Sequence, residues 1–104
     1  MEYLNDDNYM TKPQIGKTIL VLYQDNCTIC PDLLTWFDKF SKKPKLEVNI
    51  YALNIQHKPD MINHYKVKGV PTVIAFVNGD IITSFVGRRD LPTYENLVNN
   101  INNY

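Results

Sequence analysis

Thr18-Ile19-Leu20-Val21-Leu22-Tyr23 is an unbroken run of apolar and β-branched residues with no polar alternation. A strand with one wet face alternates, whereas a strand without alternation is covered on both faces, as in a parallel sheet flanked by helices. The run predicts a strand at the centre of such a sheet. It also sets what must follow, because a central strand has to deliver the chain to a helix that crosses one face.

The residues after it meet that demand. Pro31 is tolerated in a helix only in its first turn, so a helix is predicted to start around Cys27 to Pro31. Leu33, Leu34, Phe37 and Phe40 recur at helical spacing, and Lys42-Lys43-Pro44 ends the segment. Leu46 to Asn54 reads as a second strand with Val48, Ile50 and Ala52 alternating against Glu47 and Asn49. A short helix is predicted for Pro59 to Tyr65. Thr72 to Val77 and Asp80 to Val86 read as two strands joined by Asn78-Gly79, the pair a two-residue type I′ hairpin demands. Tyr94, Leu97, Val98 and Ile101 form one stripe of a terminal helix that begins near Asp90 to Pro92, and Leu4 to Tyr9 reads as a short helix capped by Asn5. The order gives a βαβ unit followed by a ββα unit. The expected class is α/β, with a mixed, mainly four-stranded central sheet and helices on both faces.

The chain of 104 residues suits a single domain over residues 1–104 with one core. A chain of this size buries roughly two-thirds of its unfolded surface, so stability requires neither a metal nor a structural disulfide. Eleven basic residues balance eleven acidic ones, which leaves no positive field for nucleic acid or anionic lipid. The apolar runs fall well short of the roughly 20 residues a membrane-spanning helix needs. Met1 to Asp7 carries no basic and no apolar leader, so the expected compartment is the reducing cytosol, where a persistent structural disulfide is disfavoured.

The two cysteines therefore need a chemical explanation. Cys27-Thr28-Ile29-Cys30 sits at the junction of the predicted buried strand and helix. Unpaired amides and the macrodipole at a helix amino terminus favour negative charge, which lowers a thiol's pKa and makes Cys27 the expected nucleophile. A thiolate that opens a disulfide is left in a mixed disulfide, and Cys30, three residues on, is placed to resolve it. Zinc wants four ligands, and His57 and His64 are not at a customary spacing, so no metal site is expected and both histidines read as surface residues.

These residues resemble the thioredoxin family along nearly the whole chain. The likeness begins at Leu4-Asn5-Asp6-Asp7 and takes in Cys27-x-x-Cys30, Leu53-Asn54-Ile55, Gly69-Val70-Pro71-Thr72, the hairpin Phe76-Val77-Asn78-Gly79-Asp80, and Gly87. The resemblance implies that Pro71 follows a cis peptide bond and faces the cysteines, that the Val70 backbone pairs with an extended substrate segment, and that Gly87 admits a substrate backbone. Thr28 and Ile29, between the cysteines, complete the expected substrate-contacting set. It further implies dithiol-disulfide exchange on protein substrates by a monomer, with electrons from a reductase or small thiol and no bound cofactor.

The chain also departs from the family pattern. Asn26 stands where the family has a tryptophan before the motif, and Pro31 follows it. The family's buried carboxylate and its partner lysine are replaced by Val21 and Ala52. Without that carboxylate Cys30 is expected to lose its proton less readily, giving slower release or a shifted potential. Tyr23 or Asp25 is a candidate substitute. A non-catalytic binding module, a thioredoxin-like subunit of a larger partner, is the alternative the same gap supports. Trp36 reads as core packing, Arg88 and Arg89 as a solvated pair or a rim favouring acidic partners, and Asp32 as either a helix-dipole partner or a brake on the Cys27 thiolate.

Overall fold

The computed structural model describes residues 1–104. Five strands, β1 (Glu2–Tyr3), β2 (Lys17–Tyr23), β3 (Asn49–Asn54), β4 (Thr72–Val77) and β5 (Asp80–Val86), make one sheet in the order β1-β3-β2-β4-β5. Helices α1 (Cys30–Ser41), α2 (Pro59–Tyr65) and α3 (Leu91–Asn102) cover it. β2 pairs in parallel with β3 and antiparallel with β4, so the sheet is mixed and β2 lies at its centre.

The unbroken apolar run in β2 divides between two cores. Ile19 and Val21 pack with Leu33, Phe37 and Phe40 of α1 and with Tyr94, Leu97, Val98 and Ile101 of α3. Leu20 and Leu22 point the other way, into a cluster with Leu4, Met61, Ile74 and Phe76. All four are fully buried, and each contributes about 1.5–3 kcal/mol relative to exposure. A polar residue at any of these four positions would sit in a core; the one buried polar side chain of the run, Thr18, satisfies its hydroxyl by donating to the Ile15 carbonyl at 3.2 Å.

Local signals set most boundaries. Asn78 and Gly79 both take positive φ, 49° and 88°, as the hairpin between β4 and β5 requires. The Asp90 side chain caps α3 by accepting from the Thr93 N–H at 3.0 Å. Hydrogen bonds from Thr93 lower the Asp90 carboxyl below its usual range. β5 is an edge strand, and its edge is broken by a register shift opposite Ala75 and Phe76 and by the Arg89 guanidinium, which donates to the Val86 carbonyl at 3.4 Å.

Three expectations are corrected, and the mixed, mainly four-stranded sheet gains one short strand. Leu4 to Tyr9 is not a helix: Asn5 Oδ1 accepts from the Asp7 N–H and Asn8 Oδ1 from the Asn5 N–H, and these side-chain bonds hold successive turns instead. The sheet gains a fifth strand because Glu2–Tyr3 pairs in parallel with Tyr51 and Ala52, a contact too short for any periodic signal. β3 begins at Asn49 rather than Leu46. Its expected one-sided alternation is absent too, since Tyr51 and Leu53 are buried on the opposite face from Ile50.

Phe37 is fully buried, with its ring 5.0 Å from Trp36 and 5.5 Å from Tyr94 between centroids. Phe37→Ala is expected to lower the unfolding free energy by about 3–5 kcal/mol in urea denaturation.

Candidate active site

The parallel β2–β3 pair ends with Tyr23 opposite Asn54, and the chain leaves the sheet through Gln24, Asp25 and Asn26. Polar contacts fix this exit. Gln56 Oε1 accepts from the Asp25 N–H at 2.7 Å and the Asn26 N–H at 3.3 Å, while Asn54 Nδ2 donates to Asp25 Oδ1 at 2.7 Å. Asn54 Oδ1 in turn accepts from the Gln56 N–H. The loop is therefore held before it reaches Cys27, whose N–H donates to the Gln24 carbonyl.

Cys27 and Cys30 are joined by a disulfide, with their Cα atoms 5.4 Å apart. Cys27 is half-buried and precedes the helix, whereas Cys30 is its first residue and is 2% exposed. Ile29 occupies the cap position without any side-chain cap bond. The Cys30 N–H donates to the Cys27 carbonyl at 3.4 Å and Pro31 has no N–H, so the helix end acts on the motif through its macrodipole rather than through those two residues' amides. The helix amino terminus that Pro31 predicts is present, with Pro31 in the first turn. Thr28 and Ile29 are exposed, Ile29 by 44%, and Asp32 lies exposed in the first turn.

The second wall comes from the start of β4. Leu22 pairs with Thr72 antiparallel, so the chain after β2 and the chain before β4 emerge at the same end of the sheet. There the Val70–Pro71 bond is cis. Thr72 Oγ1 donates to the Gly69 carbonyl at 2.6 Å, and the Gly87 N–H donates to the Pro71 carbonyl at 2.8 Å. Gly87 has φ +82°, and a Cβ there would meet nothing within 4 Å, so the segment has open space in front of it. Pro71 is buried and Val70 half-buried.

A residue outside the expected set holds this wall. Tyr94, fully buried on α3, accepts from the Arg89 N–H at 2.9 Å and donates to the Gly87 carbonyl at 3.4 Å. Periodicity marks Tyr94 as core, and its hydroxyl gives no sequence signal. Arg88 and Arg89 are both exposed, with the Arg89 guanidinium 5.5 Å above the Phe85 ring. Trp36 packs on Phe37 and Phe40, and His57 and His64 are exposed.

Two clefts meet at Gln24. One, of about 280 Å³, is lined by Gln24, Ile55, Ile62, Val67, Lys68, Gly69 and Val70. The other, of about 450 Å³, contains Cys30, Pro31, Leu34 and Thr35 of α1 with Tyr3, Tyr23, Asp25 and Asp38. Tyr3, Thr35 and Asp38 carry no sequence signal, Leu34 carries only that of the helix stripe, and Tyr3 reaches the cleft because β1 pairs beside β3. Burial, Tyr3 and Asp25 raise the Tyr23 phenol above its ordinary value. Lys42, four residues on at 3.3 Å, and then the Met1 amino group hold the Asp38 carboxyl below its usual range. Val21 and Ala52 are paired in register and fully buried, so the sheet interior carries no ionisable group at the positions of the family's carboxylate and lysine.

Comparison with known proteins agrees with this geometry. A family model described as Thioredoxin matches residues 1–103. Thioredoxin of Rickettsia bellii (strain RML369-C) is 30% identical over 74 residues, 71% of this chain and 70% of that protein. Mitochondrial thioredoxin of Mus musculus is 34% identical over 64 residues, which make up 62% of this chain but 39% of the mouse protein. The crystal structure of Malassezia sympodialis thioredoxin (Mala s 13) superposes with a TM-score of 0.85 over 98% of this chain and 90% of that one, at 17% identity, and so shares the fold.

Gly87→Ala places a side chain in left-handed backbone without a steric contact to relieve. It is expected to cost about 1–2 kcal/mol in urea unfolding, all of it from the backbone conformation.

Proposed function

This chain belongs to the thioredoxin family, and we propose that it is a thiol-disulfide oxidoreductase acting on protein disulfides. The observation that carries the reading is the Cys27–Cys30 disulfide at the amino terminus of α1, at the same end of the sheet as the cis Val70–Pro71 bond. In the reduced chain the Cys27 thiolate attacks one sulfur of a substrate disulfide, and the other substrate sulfur leaves as a thiolate. Cys30 then loses its proton and attacks Cys27, which releases the second substrate thiol and forms the disulfide seen here. Two electrons pass to the substrate, and a reductase or small thiol returns them. Sulfur carries the whole cycle, so no cofactor enters it.

The roles follow from placement. Cys27, half-buried outside the helix, is the nucleophile, and buried Cys30 is the resolving thiol. The Val70 backbone and Pro71 form the edge along which an extended substrate segment lies, with Thr28, Ile29 and Gly87 around it. Residues 1–104 act as one domain. No helix is long and apolar enough to cross a membrane, and the reducing cytosol is the proposed compartment because it keeps the pair supplied with electrons.

Val21 and Ala52 favour a second reading, a binding module that retains the fold without turning over. Its signature is a stoichiometric partner held equally well by the wild type and by the Cys27→Ser, Cys30→Ser double variant.

With dithiothreitol as donor, the wild type is expected to reduce insulin disulfides. Cys27→Ser should abolish this activity, and Cys30→Ser should accumulate a mixed disulfide through Cys27. Mass spectrometry of the trapped adduct locates the bond, and full activity in Cys27→Ser would contradict the assignment.

A further inference from the structure

Resolution needs a base for the Cys30 thiol, and the sheet interior supplies none, because Val21 and Ala52 are apolar and fully buried. The cleft of about 450 Å³ that reaches Cys30 is roomy enough for water, and four titratable side chains besides the cysteine line it: Tyr3 from β1, Tyr23 from β2, Asp25 from the loop after β2 and Asp38 from α1. No lysine, arginine or histidine lines it. Tyr3 and Tyr23 present phenols, and a neutral phenol donates to an anion but is too weak a base to take a thiol's proton. Partial burial, then Tyr3 and Asp25, hold the Tyr23 proton more firmly still. The Asp38 carboxylate is engaged by Lys42 and the Met1 amino group, and both make it a poorer proton acceptor.

Asp25 differs in each respect. It has no cationic partner within ion-pair distance, Asn54 Nδ2 fixes its Oδ1 at 2.7 Å, and its second oxygen takes no hydrogen bond within the chain. The Gln56 side chain holds its backbone N–H. The carboxylate is oriented by neighbours that leave one oxygen without a partner, and it lines the same cleft as Cys30.

We propose that Asp25 is the positioning residue for proton removal from Cys30, taking the proton through cleft water in place of the carboxylate the core lacks. The inference rests on the oxidoreductase reading. In the mixed disulfide the Cys30 S–H bond breaks and its proton passes by way of water to Asp25. The Cys30 sulfur forms a bond to Cys27 Sγ, and the bond from Cys27 to the substrate sulfur breaks. The substrate sulfur leaves with the electron pair and is protonated by solvent, and Asp25 returns its proton to solvent. An exposed carboxylate is a weak base, so the gain is about tenfold, below the 10²–10⁴ of a well-matched general base.

The test uses the reduced full chain with one equivalent of dithionitrobenzoate, an activated aromatic disulfide that releases coloured thiolate twice. The first release reports Cys27 attack and the second reports Cys30 resolution. At neutral pH Asp25→Asn is expected to slow the second release about tenfold and leave the first within about twofold, with the deficit closing as rising pH brings hydroxide to the thiol. Asp25→Glu should restore the second release, and Asp38→Asn should leave both unchanged. Three results overturn the proposal: a second release in Asp25→Asn equal to the wild type at every pH, both releases slowing together as a loosened loop would cause, or an equal deficit in Asp38→Asn. Failure of the wild type to give even the first release would instead remove the oxidoreductase reading.

Discussion

Burial of β2 on both faces from Thr18 to Leu22 is the constraint from which the rest of the molecule follows. A strand with Ile19 and Val21 in one core and Leu20 and Leu22 in the other tolerates no polar side chain without an interior partner. It needs a neighbour on each edge and helices on each face, and the sheet order and the three helices satisfy those needs. The same burial makes the end of β2 a rigid support. The chain emerges at a fixed point, passes through a loop tied to β3 by Asn54 and Gln56, and presents Cys27 before an uncapped helix.

That constraint also shapes the chemistry. A carboxylate at position 21 would place a charge in a dry core, and its desolvation would raise its pKa into a range useful to a thiol. Valine keeps the core apolar and forgoes that base. Ala52, directly across the parallel pair, likewise offers no cation. Proton traffic at Cys30 therefore falls to the solvent side of α1, where the tyrosines and aspartates of the larger cleft gather.

The parts legible in the sequence are those written as local pattern. The run at 18–23, the stripe Leu33, Phe37, Phe40, the Asn78-Gly79 turn and the Asp90 cap each announce an element through spacing or a backbone requirement, and each element formed. Cys27 and Cys30 were legible because position at a strand-helix junction and chemistry pointed the same way. The cis bond before Pro71 was legible only through resemblance. What could not be read depends on contacts between distant residues: two residues of β1 finding β3, the Tyr94 hydroxyl reaching Gly87 and Arg89, and Asn54 and Gln56 gripping the loop ahead of Cys27. The misplaced helix at Leu4 to Tyr9 has a related cause, since Asn5 Oδ1 takes the Asp7 N–H and Asn8 Oδ1 takes the Asn5 N–H, local bonds that compete with helical continuation.

The central claim is that Cys27 is an activated thiolate because of where the fold sets it. The direct measurement is the rate of iodoacetamide alkylation of Cys27 in the reduced chain across a pH series, with the site read by mass spectrometry. The account predicts an inflection well below the value of about 8.5 of a free cysteine. An inflection at or above that value would show that the helix mouth does not activate the sulfur, and would contradict the account.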